Sequence, residues 1–589
     1  MILQTYGNIM RNLFSSFLTL CFVGLLYETR PGDAASRNLK NVISLPTQKI
    51  EQPYRTGYHF QPPSNWMNDP NGPMLYKGVY HFFYQYNPEA PVFGTIVWGH
   101  AVSYDLVNWI HLDPAIYPTQ EADINSCWSG SATILPGNIP MMLYTGSDST
   151  SRQVQDLARP KNLSDPFLRE WVKYPKNPII TPPDGVNDDC FRDPSTAWLG
   201  PDNIWRIVVG GDRNNNGMAF LYQSKDFENW VRYEQPLAAA DGTGTWECPD
   251  FFPVPLNSTN GLDTSTYSGS VVHVMKAGFR GHDWYTIGTY SPERENFLPQ
   301  NGLSLSGSSL DLRYDYGNFY ASKSFFDDAK NRRVLWGWIP ESDSQEDDYE
   351  KGWAGLQSFP RALWIDRTGR QLIQWPVEEI EGLRENEVKI ENKNMKPGSV
   401  IEIKGVTAAQ ADVIISFKLE NLDEAEVLDT SSVDPQALCT ERGASSKGAF
   451  GPFGLLAMAS KDLDEQTAIF FRVYQNNNGR YVVLMCSDLS RSTVRNSIDK
   501  TSFGAFVDVD PRASEISLRN LIDHSIIESF GAEGKTCITS RTYPKFVNYE
   551  DAHLFAFNNG TQSVEISQMS AWSMKSAEFV MGETVKSAI

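Results

Sequence analysis

One seven-residue pattern occurs twice in the chain, as Ser103-Tyr-Asp-Leu-Val-Asn-Trp109 and Ser224-Lys-Asp-Phe-Glu-Asn-Trp230, with a looser copy, Ser164-Asp-Pro-Phe-Leu-Arg-Glu-Trp171, between them. The closing tryptophans stand 62 and then 59 residues apart. That spacing fits one four-stranded sheet with its loops, and a unit repeated at such a period must pack on its own copies to bury an apolar face. A second series runs in step with the first. Trp66 opens WMNDPNGPMLYKGVYHFFYQ, Trp128 opens WSGSATILPGNIPMMLYTG, Phe191 opens FRDPSTAWLGPDNIWRIVVGG, and Trp246 opens WECPDFFPV. Each is a polar motif followed by a turn and an aliphatic or aromatic strand. A fifth unit is predicted from near Leu312, and five units of about 60 residues fill positions 55 to 365. The pattern predicts a five-bladed β-propeller over 50–371. No stretch there holds a capped 3.6-residue period, which disfavours an α/β fold with a dinucleotide site.

From 372 to 398 the chain turns polar and charged, which reads as a partly helical linker. Beyond it, over 399–589, short alternating runs bounded by Gly, Asn, Asp and Pro predict a β-sandwich. The fold class expected is therefore all-β, a propeller followed by a sandwich. The sandwich half carries no dense polar motif, so chemistry is expected in the propeller.

The N-terminus places Arg11 before a 14-residue apolar run, Leu13 to Leu26, and a polar stretch follows. This is too short to span a bilayer and suits a signal peptide over 1–35, with a membrane anchor as the alternative. No later segment approaches the length of a membrane span. Asn162, Asn257 and Asn559 head Asn-x-Ser/Thr triplets, as expected of an N-glycosylated secretory protein. Six cysteines lie beyond Cys21, with no CxxC and no neighbouring His pair, so no metal is expected. Lys plus Arg number 51 against 71 Asp plus Glu, a net charge of −20, which repels phosphate backbones and anionic membranes; neither nucleic acid nor membrane is an expected partner.

If the blades are equivalent, the polar residues that start each inner strand converge on one end of the central channel. Asp69, Asp193 and Glu247 occupy that place in units one, three and four. Each also has an ordinary reading: a turn for Asp69 in Asn68-Asp69-Pro70-Asn71-Gly72, an ion pair for Arg192-Asp193, and a solvated acid for Glu247. Convergent carboxylates among aromatics, without a phosphate loop, suit glycoside hydrolysis. There one acid attacks the anomeric carbon, another protonates the leaving oxygen, and ring faces hold the sugar. No GxSxG elbow or HExxH occurs, and the eight His are read as structural.

WMNDPNG at 66–72, FRDP at 191–194 and WECPDF at 246–251 resemble the three hallmark motifs of glycoside hydrolase family 32, the β-fructosidases. Similarity to its plant branch runs from HFQPPSNWMNDPNG through YTIGTY to SLRNLIDHSIIESFG. The resemblance implies a propeller joined to a sandwich, in agreement with the repeats. It also implies Asp69 as nucleophile, Glu247 as acid/base and Asp193 as the carboxylate that holds fructose hydroxyls. Trp66, Asn68, Gln85, Trp128, Ser129 and Arg192 match positions that line the family's fructose pocket, and Cys439 and Cys486 match its sandwich disulfide. No cofactor is implied.

Pro249 in WECPD is similar to the cell-wall invertase branch, which contains both sucrose hydrolases and fructan exohydrolases. Two departures lean away from sucrose. Phe93 replaces a typical Trp, and Ala277-Gly-Phe-Arg-Gly281 stands where an acidic residue and a Lys typically help to hold glucose. The chain is similar to exohydrolases of composite plants that trim inulin from its fructose end. The expected substrate is thus an inulin-type β(2,1) fructan, with apolar help from Phe279 or Phe93 and with sucrose a weak substrate or inhibitor. An acid invertase, with Asp343 supplying the missing carboxylate, is the alternative within the family. An inactive sugar-binding propeller is the alternative from another class. A monomer in the vacuole, or otherwise the apoplast, is expected.

Overall fold

The repeated pattern is a corner between strands. In Ser103–Trp109 the Ser103 Oγ accepts from the N–H groups of Asp105 and Leu106, at 3.1 and 2.9 Å, while Asp105 accepts from those of Val107 and Asn108, at 3.0 and 2.8 Å. Leu106 turns left-handed at φ 62°, and the Trp109 indole donates back to its carbonyl. Ser224–Trp230 repeats these bonds, with Phe227 at φ 67°. In the looser copy Asp165 accepts from Phe167 and Arg169. The side-chain oxygens satisfy N–H groups that have no ladder partner at the corner, which is why Ser and Asp recur there.

The computed structural model describes residues 52–582 apart from 53, 310, 431, 432 and 548, so the expected signal peptide lies outside the described residues. Each corner joins the third and fourth strands of an antiparallel blade. Blade I comprises Asn65–Tyr76, Val79–Asn87, Val97–Ser103 and Trp109–Ile116. Blade II comprises Ser126–Leu135, Ile139–Ser147, Gln153–Pro160 and Trp171–Lys173. Blade III has an interrupted inner strand, Phe191–Arg192 and Trp198–Leu199, followed by Trp205–Arg213, Asn216–Ser224 and Trp230–Arg232. Blade IV runs Glu247–Pro255, Val271–Phe279, His282–Ser291 and an outer layer of Asn296–Pro299 and Leu312–Arg313. Blade V runs Tyr320–Asp327, Arg332–Ile339, Arg361–Ile365 and Leu372–Pro376. Trp353–Ala354, from a blade V connection, pairs with Asn65 and Trp66 and joins the last blade to the first. Phe82 of blade I stacks on Trp336 of blade V with centroids 4.4 Å apart, and truncating either buried ring to Ala costs about 3–5 kcal/mol.

Two sequence expectations are corrected here. The fifth unit does not begin at Leu312: Leu312 and Arg313 pair with Tyr285 and Trp284 as an outer strand of blade IV, and the inner strand of blade V starts at Tyr320. Nor is 372–398 a linker throughout. Leu372–Pro376 closes blade V, a short 3-10 turn spans Glu378–Leu383, and Arg384–Met395 is an edge strand paired with Val564–Met574. Its polarity is that of a strand with one solvated face at a sheet edge.

The second unit is two sheets of six and seven strands, antiparallel except for the short Glu426–Val427, which pairs parallel with Thr467–Gln475, around a core that includes Ile415, Phe417, Phe453, Phe471 and Met569. Helix Pro435–Glu441, capped by the Asp434 carboxylate on the Ala437 N–H, is tied by the Cys439–Cys486 disulfide to strand Tyr481–Asp488. The chain then returns: Phe579–Met581 adds a parallel strand to the outer edge of blade I. The apolar seam between the units packs Leu521, Phe530 and Met574 with Phe82, Trp109 and Phe359. Among the described residues, no helix is long and apolar enough to cross a membrane.

Candidate active site

Four of the five inner strands carry a register shift just after their start. It falls between Met67 and Pro70, Trp128 and Gly130, Glu247 and Asp250, and Tyr320 and Lys323. In blade III the inner strand breaks after Arg192. A bulge takes one residue out of the ladder and re-aims its side chain, which is how a closed ring of strands can present polar groups inward at one end. Asp193, Cys248 and Ala321 take φ of 65°, 45° and 53° at these breaks, and such left-handed positions cost about 1–3 kcal/mol each. Gly130 makes the blade II bulge possible, since a Cβ there would lie 2.1 Å from the Leu143 carbonyl oxygen.

The re-aimed residues form one network. Ser129 donates to Asp69 Oδ2 at 2.6 Å, Asn68 donates to Asp69 Oδ1 at 2.9 Å, and Gln85 links Asn68 to Ser129 at 2.9 and 2.5 Å. The Trp66 indole donates to Asn68 at 2.8 Å. Across the ring, Cys248 lies between two acids: its backbone N–H donates to Asp193 Oδ2 at 2.8 Å, and its sulfur stands 3.4 Å from Asp69 Oδ2 and 3.5 Å from Asp193 Oδ2. Burial, and then the charges of Asp193 and Asp69, push the thiol well above its usual range, so it is a neutral donor. Arg192 donates to Glu247 Oε1 at 2.5 Å and stands 3.9 Å from Asp193. Tyr320 donates to Glu247 Oε2 at 2.5 Å.

The three carboxylates differ electrostatically. Burial raises Asp69, against the hydrogen bonds from Ser129 and Asn68, and the Glu247 charge adds to the rise. Burial likewise lifts Asp193 to about 6, opposed by Arg192 and reinforced by Asp69 and Glu247. Burial also acts to raise Glu247, but Arg192, Tyr320 and Lys276 outweigh it and hold the group below its usual range.

Thus Asp69, Asp193, Glu247, Asn68, Gln85, Ser129 and Arg192 are brought together as expected. Trp66, Phe93 and Trp128 form a rim: Phe93, 53% exposed, meets Trp66 edge-on at 6.3 Å and Trp128 at 6.5 Å. Two other expectations fail. Phe279 is buried, stacked between Trp246 and Trp284, and cannot touch a ligand. Asp343 cannot supply a glucose acceptor either, because its side chain is fully buried and paired with Lys351.

Sequence reasoning missed Tyr320, Lys276, Trp338 and Gln357. Lys276 is buried and donates to the carbonyls of Cys248 and Ser322 at 2.9 and 2.8 Å, bracing the Glu247 strand against blade V. Trp338 stands 5.8 Å from Trp66, and Gln357 donates to the Asn68 carbonyl at 2.7 Å. Only Tyr320 had a usable signal, because it opens an inner strand at the place equivalent to Glu247.

Comparison with known proteins agrees with this geometry. Residues 59–376 match the glycosyl hydrolases family 32 N-terminal domain, and residues 379–573 match the family 32 C terminal domain. The crystal structure of fructan 1-exohydrolase IIa from Cichorium intybus is 84% identical with a TM-score of 0.90, over 91% of this chain and 100% of that one. A glutamate-to-glutamine variant of that enzyme was crystallised with 1-kestose and is similar to the same degree, over 90% of this chain. The fructan 6-exohydrolase of Beta vulgaris is 53% identical over 90% of this chain and 88% of its own. The insoluble β-fructofuranosidase CWINV1 of Arabidopsis thaliana is 52% identical over 95% and 97%.

Proposed function

Because the chain belongs to glycosyl hydrolase family 32, we propose that it is an exo-acting fructan hydrolase that releases terminal fructose from β(2,1) fructans such as 1-kestose and inulin. The observation that carries the choice of fructan over sucrose is the 84% identity to the chicory fructan 1-exohydrolase across 91% of the chain.

In this reading Asp69 attacks the anomeric carbon of the terminal fructose while Glu247 gives its proton to the departing oxygen. Glu247 then takes a proton from the water that frees the sugar from Asp69, with net retention. The bonds from Ser129 and Asn68 fix the Asp69 carboxylate for attack, and Asp193 accepts fructose hydroxyls as positive charge grows on the ring. Glu247 must be protonated when the leaving group departs, whereas Arg192 and Tyr320 favour its ionised form in the empty site. A fructosyl group that draws Arg192 to its hydroxyls leaves burial and the neighbouring Asp69 charge acting on Glu247, and both raise its pKa. Acidic medium works in the same direction and fits a secretory-pathway enzyme of the vacuole or apoplast.

Discrimination falls on the leaving-group side. Glu247 pairs with Gly278, so the tight hairpin at Arg280 and Gly281 stands at the acid end of blade IV and presents a cation without a carboxylate. Each charge-assisted bond that glucose forgoes costs about 1.5–3 kcal/mol, roughly 10- to 150-fold in rate. The measurement is kcat/KM for 1-kestose and sucrose on one preparation, with kestose expected to exceed sucrose at least about tenfold. A sucrose value equal to or above that for kestose makes the chain an invertase.

A further inference from the structure

The sandwich carries a hollow of about 300 Å³ that shares no residue with the acid site. Its floor is apolar, formed by the buried Leu456, Ala468 and Phe557, and its walls include Gln466, Asp488 and Asn559. An apolar floor with a few directed polar groups, at the small end of ligand pocket volumes, fits one sugar ring rather than a polymer. Asp488 is already engaged, since its carboxylate accepts from the backbone of Ala444 and Ser490 at 2.8 and 2.9 Å. Gln466 stands in the same wall with 8% of its surface exposed.

Asn559 stands at its edge, in the triplet Asn559-Gly560-Thr561. Its backbone N–H donates to the Pro452 carbonyl at 2.8 Å, and its Nδ2 donates to the Ala444 carbonyl at 3.1 Å. That amide nitrogen bears two hydrogens, so one can be replaced by a glycosidic bond while the other keeps its acceptor. Asn162 and Asn257 differ, both being exposed and outside the hollow.

We propose that the hollow seats the first N-acetylhexosamine of an N-linked glycan on Asn559. The apolar floor of Leu456, Ala468 and Phe557 takes one face of the ring. The Nδ2–C1 bond forms as one Nδ2 hydrogen leaves and the lipid diphosphate of the glycosyl donor departs. This happens on the nascent chain, so the half-burial of Asn559 after folding does not obstruct it.

The test uses the full chain secreted from eukaryotic cells. Peptide N-glycosidase digestion in ¹⁸O-water, followed by peptide mass spectrometry, is expected to release the Asn559 glycan about tenfold or more slowly from the folded protein than from the denatured one. An unmodified Asn559, or equal release rates, overturns the proposal. Thr561→Ala, which removes the acceptor triplet, is expected to lower Tm by about 2–4 °C with turnover of 1-kestose unchanged, while Thr561→Ser restores Tm. A Thr561→Ala protein without a glycan and with the wild-type Tm also overturns it.

Discussion

The mouth of the propeller and the seam between propeller and sandwich both gather buried carboxylates, and they treat them in opposite ways. At the seam Lys351 sits among Glu341, Asp343 and Asp348, while Glu341 also accepts from Arg541 at 2.7 Å and Tyr543 at 2.5 Å. Asp315 accepts from Arg361 and Thr539 at 2.9 and 2.7 Å, and Asp523 accepts from His59 and three successive backbone N–H groups. Each of these groups is engaged by a cation or a donor, although Asp343 keeps one oxygen without a hydrogen-bond partner. At the mouth three acids share one directly bonded arginine, and the remaining donors are hydroxyls, amides and a neutral thiol on strained backbone beside an aromatic rim. Clustered acid therefore does not identify a catalytic site. A shortage of cations at the start of re-aimed strands does, because the lone pairs left over are what a sugar hydroxyl or an anomeric carbon can use.

The largest test of that contrast is Asp69→Asn. It removes the attacking carboxylate and is expected to lower kcat on 1-kestose by at least about 10⁴-fold, while Tm stays at or above the wild-type value because a buried charge has gone. Lys351→Met should invert both results. Withdrawing the cation from among buried carboxylates is expected to cost about 3–5 kcal/mol of stability, read as a clear fall in Tm, with kcat of the folded protein at low temperature essentially unchanged. If Lys351→Met melts like the wild type, the seam is not held by charge matching and the contrast collapses.

A smaller effect follows from protonation. Burial, aided by neighbouring carboxylates, lifts Asp343 to about 6, Asp348 to about 7 and, in blade II, Asp156 to about 8. A raised folded-state pKa means that the folded chain holds protons the unfolded chain has lost. The stability this contributes is complete below the ordinary value near 4 and drains away as pH rises through about 6 to 8. Glu341, held near 2 by Arg541 and Lys351 against burial, acts the other way and weakens the fold only below about 4. Burial holds His81, His100, His111, His273 and His282 below their usual range, which makes stability rise with pH up to about 6.5, so the Asp effect is read above that point. Tm is expected to fall from about pH 6.5 to pH 8, and Asp156→Asn should flatten that slope. A Tm that rises over this range contradicts the protonated seam.

The sequence disclosed the mouth far better than the seam, for a physical reason. Repeats place Asp69, Ser129, Asp193 and Glu247 at equivalent strand starts, so local motifs carry global positions. Seam partners such as His59 and Asp523 lie 464 residues apart and leave no local pattern. Tyr320 was lost because the aromatic run DLRYDYGNFYAS let the fifth unit be started eight positions early, on an outer strand of blade IV. Lys276 was lost because a charged residue in a strand reads as solvent-facing, whereas its amine is held by two carbonyls behind Glu247. Phe279 was misread in the other direction, an aromatic near a turn whose ring packs inward between two tryptophans.

The smallest expected effect separates the rim from the acids it surrounds. Phe93 meets Trp66 edge-on and Trp128 at a tilt, and more than half of it faces solvent. In the proposed pose the fructosyl unit lies against Asp69, Asp193 and Glu247, so an exposed ring at the rim meets the leaving group. Phe93→Ala removes an aromatic contact worth about 0.5–1.5 kcal/mol, which predicts a rise of roughly 2- to 10-fold in KM for 1-kestose at nearly constant kcat. Sucrose, whose leaving group is one glucose rather than a longer saccharide, offers this ring less surface and should lose less. An equal loss on both substrates would instead place Phe93 against the shared fructosyl unit, and a drop confined to kcat would make it a positioning residue for the acids through Trp66.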